Sequence, residues 1–495
     1  MSATNAGCII LVILSIIFLL PGETACQDLV WGYNYGGAYN ETGYLGFQTV
    51  DNDYIMVGST FSFGAGEFDI YLLKIDSLGD TIWTRTYGGV STEYGYDVQP
   101  TGDGGYIIVG STKSSGRGKK DVYLVRVDSL GNMLWSKTYG GAQDDEGYSV
   151  RPTSDNGFII CGTTNSSGAG YADLYLIKTD LSGDTLWTRT FGGPGGESGM
   201  AVRQVAGGGY IAIGSTGSFG EGYSSMYVVR VGAAGDSLWA NSYGGSKADF
   251  GYSVETTLDG GFVFVGATAS FGAGYSDAYL IKTNAEGVID WQKTYGGSMD
   301  DRAYSVCLTR DGGYILTGTT ESFGASEIDI YAVKTNPAGD LVWSRTYGGA
   351  RSDYGRCIFQ NMGRDYILIG YTYSFDAKGS NVYMAKISAE ATAVDDNDSQ
   401  TLPTGFTLEQ NYPNPFNLST IIDYALPKRA SVELTIYNVL GQVVHNWCFE
   451  SQPAGMHTIR WNGNDNTGNT AASGIYFYRL KTGGFSQSKK MVLIK

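Results

Sequence analysis

Between residues 27 and 390, apolar and polar positions alternate over short stretches, and nowhere do the apolar positions recur at helical spacing. Alternation with a period of two marks strands with one buried face. The strands come in sets of four, for example GYSVRPT (147–153), GFIICGTT (157–164), DLYLIKTD (173–180) and TLWTRTFGG (185–193). The first two join through Asp155-Asn156-Gly157 and the last two through Asp180-Leu181-Ser182-Gly183-Asp184. Asp, Asn and Gly take up positive φ at little cost, so both connections read as hairpin turns.

Trp31, Trp83, Trp135, Trp187, Trp239, Trp291 and Trp343 are spaced by 52 residues without interruption. A fixed period of this length, with four strands per unit, predicts the blades of a β-propeller. The first strand of a unit, starting near Gly43, Gly95, Gly147, Gly199, Gly251, Ala303 and Gly355, occurs seven times. A Trp-bearing fourth strand follows only six of these, and the seventh unit stops at NVYMAKIS (381–388). The missing strand lies at the other end of the chain, around Trp31. The expected fold is therefore all-β: a seven-bladed β-propeller of four-stranded blades whose N-terminal strand closes the last blade and hides two free edges. Each Trp is expected to pack between blades. The aromatic residue opening each second strand (Tyr54, Tyr106, Phe158, Tyr210, Phe262, Tyr314, Tyr366) reads as core. A basic residue recurs in the third strand (Lys74, Arg126, Lys178, Arg230, Lys282, Lys334, Lys386), in five units with Asp five residues earlier. It reads as part of a structural ion-pair or hydrogen-bond network.

The hairpin Asp76–Trp83 resembles the tryptophan-docking motif of quinoprotein-type propellers, one residue shorter between Asp and Gly. No quinone-binding set accompanies it, so the resemblance implies fold and not redox chemistry. The repeat region as a whole is similar to extracellular DGGYI-type repeat proteins of environmental bacteria.

Composition agrees with many short strands and tight turns. Gly is 73 of 495 residues, roughly twice average usage, Tyr reaches 37 and His only 2. The net charge of −16 argues against nucleic acid and anionic membranes as partners. The first 26 residues read as a signal peptide, with Ile9–Leu20 as its apolar core and cleavage before Gln27; lipidation at Cys26 is the alternative. An exported chain follows, ending at the cell surface or outside the cell. Cys161, Cys307, Cys357 and Cys448 show no metal spacing and read as buried hydrophobes, with a Cys307–Cys357 bridge as an alternative.

The loops joining second to third and fourth to first strands share one face of a propeller, and that is where chemistry is sought. An acid stands ten residues after each Trp: Glu41, Glu93, Asp145, Glu197, Asp249, Asp301 and Asp353. These could ring the channel mouth as a Ca²⁺ site or as acceptors for glycan hydroxyls; the structural alternative is that each accepts N–H bonds from its own loop. Apart from Ca²⁺ no cofactor is expected. Phe63, Phe219, Phe271, Phe323 and Phe375 could form a stacking platform for sugars, or pack on their own loops. His445 and His457 both fall after the repeats, so no Ser-His triad is available in the propeller. Glycosidase chemistry from paired carboxylates stays open, but no acid pair breaks the repeat.

After an acidic linker (391–403) the chain changes character. Six or seven short alternating strands over 404–495 predict a small Ig-like β-sandwich. The segment carries Asn411-Tyr412-Pro413-Asn414-Pro415-Phe416-Asn417, Tyr437-Asn438-Val439-Leu440-Gly441, Gly474-Ile475-Tyr476 and Lys489-Lys490-Met491. It resembles the C-terminal sorting domain of the type IX secretion system, departing at Leu418, where Pro is usual. The resemblance implies export through that machinery, with the linker as the cut region. The function expected is a monomeric exported module that binds an extracellular polymer or glycan, with a polysaccharide-degrading enzyme or an adhesive structural protein as alternatives.

Overall fold

The computed structural model describes residues 29–324, 327–375, 379–389, 405–417, 419–452, 455–466 and 468–494. The expected leader (1–26) and the linker (391–403) lie outside the described residues.

The first unit is a four-stranded antiparallel sheet of strands A (Glu41–Gln48), B (Tyr54–Thr60), C (Asp69–Ile75) and D (Thr81–Tyr87), in that order. The next five units repeat it. In the seventh sheet the outer strand is Leu29–Tyr35, paired with Asn381–Ile387. The register is that of the other units: Trp31 faces Lys386 as Trp83 faces Lys74. The A strands of the first and last units are in contact, Glu41 N–H donates to the Ser380 carbonyl at 2.8 Å, and Met362 N–H donates to Gln48 Oε1 at 2.7 Å. The sheets thus close on themselves as a propeller.

Strands B and C are buried on both faces, so their side chains fill the spaces between neighbouring sheets. Ile55, Val57 and Leu72 of the first unit pack with Val98, Ile108 and Val125 of the second. Each buried methylene contributes about 0.8 kcal/mol, and every inter-sheet space is filled this way. Six of the seven Trp rings meet the aromatic residue that opens strand B of the next unit, as Trp187 does Tyr210 (centroids 6.1 Å apart) and Trp31 does Tyr54 (6.3 Å) across the closure.

The strand C cation pairs with an acid other than the one five residues before it. Lys178 binds Asp155 at 2.9 Å and Lys74 binds Asp53 at 3.0 Å, both in A–B turns. The earlier acid turns back to its own loop: Asp69 accepts from Ala65 and Gly66 N–H, each at 3.0 Å. Arg230 faces a turn without Asp and donates to the Gly208 carbonyl at 2.7 Å. Cys307 and Cys357 are both free thiols, so no bridge joins these blades.

Strand A carries a β-bulge in every unit. In the second, pairing with strand B skips from Gly95 to Asp97 and leaves Tyr96 as the extra residue. Opposite it stands Gly110, where a Cβ would come 1.7 Å from the Tyr94 carbonyl oxygen. The recurrent strand B glycine therefore makes room for the bulge, and the bulge re-aims one residue of each innermost strand.

Among the described residues the C-terminal unit has seven strands in two sheets. Thr407–Leu408, Thr420–Leu426 and Gly455–Trp461 form one sheet; Val443–Gln452, Ala430–Asn438, Gly474–Thr482 and Phe485–Leu493 form the other. Their inner faces share a core containing Phe416, Tyr424, Trp461, Tyr476 and Tyr478.

Candidate functional site

The seven acids sit where strand A begins, each positioned by the preceding unit: Glu93 N–H donates to the Phe68 carbonyl at 2.7 Å. All seven are buried. Glu93 accepts from Gly89 N–H (2.6 Å), Thr112 Oγ1 (2.7 Å) and Ser114 N–H (3.1 Å). Glu41 and Glu197 repeat this pattern. Asp145, Asp249 and Asp301 are one methylene shorter. They accept from a loop glycine N–H and a serine hydroxyl, and their second oxygen has no partner among the described residues. Asp353 accepts from Gly349 N–H at 2.8 Å and Ser374 Oγ at 2.7 Å, and also from Thr372; burial raises its carboxyl pKa. These carboxylates tie the loops of the face together.

Phe63, Phe219, Phe271, Phe323 and Phe375 each lean on a strand C tyrosine, at 5.6–5.9 Å between centroids. One edge remains open: Phe63 and Phe323 are 43% exposed.

What breaks the repeat is the lining of the channel. The bulge residues are Tyr44, Tyr96, Tyr148, Met200, Tyr252, Tyr304 and Arg356. Neighbouring rings touch: Tyr44–Tyr96 at 5.1 Å, Tyr96–Tyr148 at 5.0 Å and Tyr252–Tyr304 at 4.9 Å. The Arg356 guanidinium lies 4.5 Å from the Tyr304 ring and 5.8 Å from that of Tyr44. Together they form a collar. Burial raises the phenol pKa values of Tyr44, Tyr96 and Tyr148, so at neutral pH these hydroxyls are uncharged donors.

From the collar a run of rings climbs to the loop face: Tyr96 to Tyr94 (6.1 Å), Tyr94 to Phe68 (5.4 Å), Phe68 to Phe61 (5.1 Å) and Phe61 to Tyr39 (5.6 Å). Tyr39 at its outer end is 58% exposed. Beside it Lys120 binds Glu146 at 2.5 Å and lies 6.0 Å from the Tyr94 ring, and Tyr148 OH donates to Glu146 at 2.7 Å. Further round the face Tyr171, Tyr223 and Tyr275 occupy one loop position in three successive units and are 84%, 92% and 73% exposed.

The collar position is Tyr in five of the seven units, with Met200 and Arg356 as the departures, and the exposed loop Tyr recurs in three; Tyr39, Phe61, Phe68 and Tyr94, by contrast, meet no aromatic residue at the equivalent position of most other units. The signal that finds the run is variation: the position of Tyr94 changes from unit to unit although it stands between an acid kept in all seven units and a glycine kept in six.

The residues resembling a sorting motif are partly structural. Asn411 Nδ2 donates to Thr420 Oγ1 at 2.8 Å, and Val492 N–H donates to Asn414 Oδ1 at 2.8 Å. Phe416 and Tyr476 pack on Trp461. Gly441 holds a positive φ of 75° in a turn, and Lys490 lies exposed on the last strand.

Residues 419–484 match the family model of the FlgD Ig-like domain. Over 175 residues the chain is 26% identical to the regulatory protein FlaEY of Caulobacter vibrioides; the stretch covers 30% of this chain and 18% of that protein. The chain thus spans less than a fifth of that relative's length. Among solved structures, the Pan2 WD40 domain of Neurospora crassa overlaps 71% of this chain and 90% of its own, with 10% identity and a TM-score of 0.43. The β-propeller domain of the Trilobed protease from Pyrococcus furiosus overlaps 70% and 94%, with 11% identity and a TM-score of 0.39. Neither brings an activity with it.

Proposed function

We propose that this is an exported binding module for an extracellular polymer of the glycan class, taken on the loop face along the rings that lead from Tyr39 to the collar. The observation that carries the reading is that continuous aromatic run, which breaks the symmetry of an otherwise repetitive ring. Rings with exposed faces stack on sugar rings, and the neutral collar phenols and the Lys120–Glu146 pair supply donors and acceptors for hydroxyls. The seven loop acids act in this reading as the frame that holds the face, and Ca²⁺ is not part of it.

Export is the second part of the proposal. The Ig-like domain serves as an address read by type IX secretion machinery, supported by the ordered motifs from Asn411 to Lys490. In a host with that machinery, removal of residues 404–495 should leave the propeller inaccessible to protease added to intact cells; unchanged surface exposure would refute the address. For binding, the chain without its leader is screened on a glycan array and for release of reducing ends from the same polysaccharides. Binding without cleavage is expected, and Tyr94→Ala should weaken it at least about tenfold. Cleavage would establish an enzyme instead, and an empty array would favour an adhesive structural role.

A further inference from the structure

The loop that carries Asn411–Asn417 does not stand free. It meets the propeller at the end opposite the loop face, where the A strands run out into the A–B turns. Tyr412 OH and Cys307 Sγ are 2.8 Å apart. Cys307 holds the strand A position occupied in the two preceding units by Arg203 and Glu255. The three therefore belong to one layer of the channel mouth, in which Arg203 Nε binds Glu255 at 3.0 Å. Next to Cys307, Arg310 pairs with Asp423 of the Ig-like domain, their side chains only 8% and 5% exposed. The Arg310 guanidinium also lies 6.0 Å from the Tyr412 ring. The arginine is fixed from the propeller side: its N–H donates to Gln360 Oε1 at 3.0 Å and its Nη2 to the Met362 carbonyl at 3.1 Å. A buried ion pair between two domains, beside a phenol–thiol contact, is a specific joint, because breaking either partner leaves a charge without compensation.

We infer that the Ig-like domain is a stopper: Tyr412 closes the turn-side mouth of the channel, and the propeller in turn covers the Tyr412 loop. Two consequences follow. A receptor that reads the Asn411–Asn417 loop has to compete with the propeller for it. Cutting the linker and releasing the domain uncovers a channel mouth bearing Arg203, Glu255 and the Cys307 thiol, so the released propeller has an opening that the intact chain lacks. The inference is independent of glycan binding on the other face.

The thiols provide the test. The chain without its leader is treated with N-ethylmaleimide and labelling is followed peptide by peptide. Cys448 is exposed on the Ig-like domain, whereas Cys357 is buried within the propeller; they serve as the accessible and the protected standards. Cys307 should label far more slowly than Cys448. Asp423→Asn, and independently Arg310→Ala on the propeller side, should each speed labelling of Cys307 by at least about tenfold while Cys357 stays protected. Cys307 labelling as fast as Cys448 in the unaltered chain, or unchanged in both variants, would overturn the stopper. Cys357 becoming reactive would mark unfolding of the propeller; the comparison is then made on the unaltered chain cleaved in its linker, where Cys307 labelling must rise as the fragments separate.

Discussion

Replacing Gly110 by alanine tests the link between the repeat and the channel. The glycine sits mid-strand and does not have a positive φ, so an added methyl is opposed by space alone. Its Cβ would lie 1.7 Å from the Tyr94 carbonyl oxygen and 2.8 Å from the carbonyl carbon. Backbone cannot rotate away as a side chain tip can, so the bulged strand A has to shift. Overpacking of this kind costs about 1–3 kcal/mol, and each ladder hydrogen bond lost in the shift costs about 0.5–1.5 kcal/mol more. Reduced freedom of the unfolded chain gives back about 0.4–1 kcal/mol. The net destabilisation should be about 3 kcal/mol. Gly104, in the A–B turn of the same unit, is the control: its φ is +84° and nothing lies within 4 Å of its would-be Cβ. There alanine should cost about 1–2 kcal/mol, from conformation alone. Urea unfolding of both variants, followed by circular dichroism and tryptophan fluorescence, gives the comparison. A change under about 0.5 kcal/mol for Gly110→Ala would refute the role given to the glycine.

Trp187→Ala should destabilise by about 2–3 kcal/mol, below the figure for a fully buried aromatic, because the ring is partly exposed although it packs on Tyr210; a thermal melt measures it. Deleting the strand Leu29–Tyr35 exposes the edge of Asn381–Ile387 and should cause aggregation or loss of the folding transition; light scattering and calorimetry report both, and unchanged behaviour would refute closure by this strand. Burial acts to raise the carboxyl pKa of Asp311, but Lys334, Thr309 and Gly313 N–H outweigh it, so the folded-state value lies below the unfolded one. Its stabilisation is present above the unfolded value, about pH 4, and is lost as pH falls through the folded value. The stability gap between the unaltered chain and Asp311→Asn should therefore close below about pH 4 in acid titrations of the melting temperature.

Much of the fold was legible because the repeat is spelled by residues whose roles are local. Alternation located the strands, Asp, Asn and Gly the turns, and the count of Trp-bearing strands showed where the N-terminal strand pairs. The partner of the strand C cation was not legible, because the nearer acid in sequence points to its own loop while the turn acid lies across the hairpin. The strand A bulge leaves no mark except a glycine on the neighbouring strand. At the site, recurrence drew attention to Glu41 and its equivalents, which the structure engages in loop scaffolding, and away from Tyr94, whose position varies from unit to unit, and Arg356, which departs from a tyrosine found in five units. The meeting of Tyr412 with Cys307 joins residues 105 apart in the chain and has no sequence signature.

The binding account is tested most directly by hydrogen–deuterium exchange of the chain with and without the polysaccharide that scores best on the array. Slower exchange is predicted in the loops around 36–41, 61–68 and 92–96, with no change in the opposite turns around 101–105 and 153–157. Protection confined to those turns, or none on the loop face at saturating polysaccharide, would contradict it.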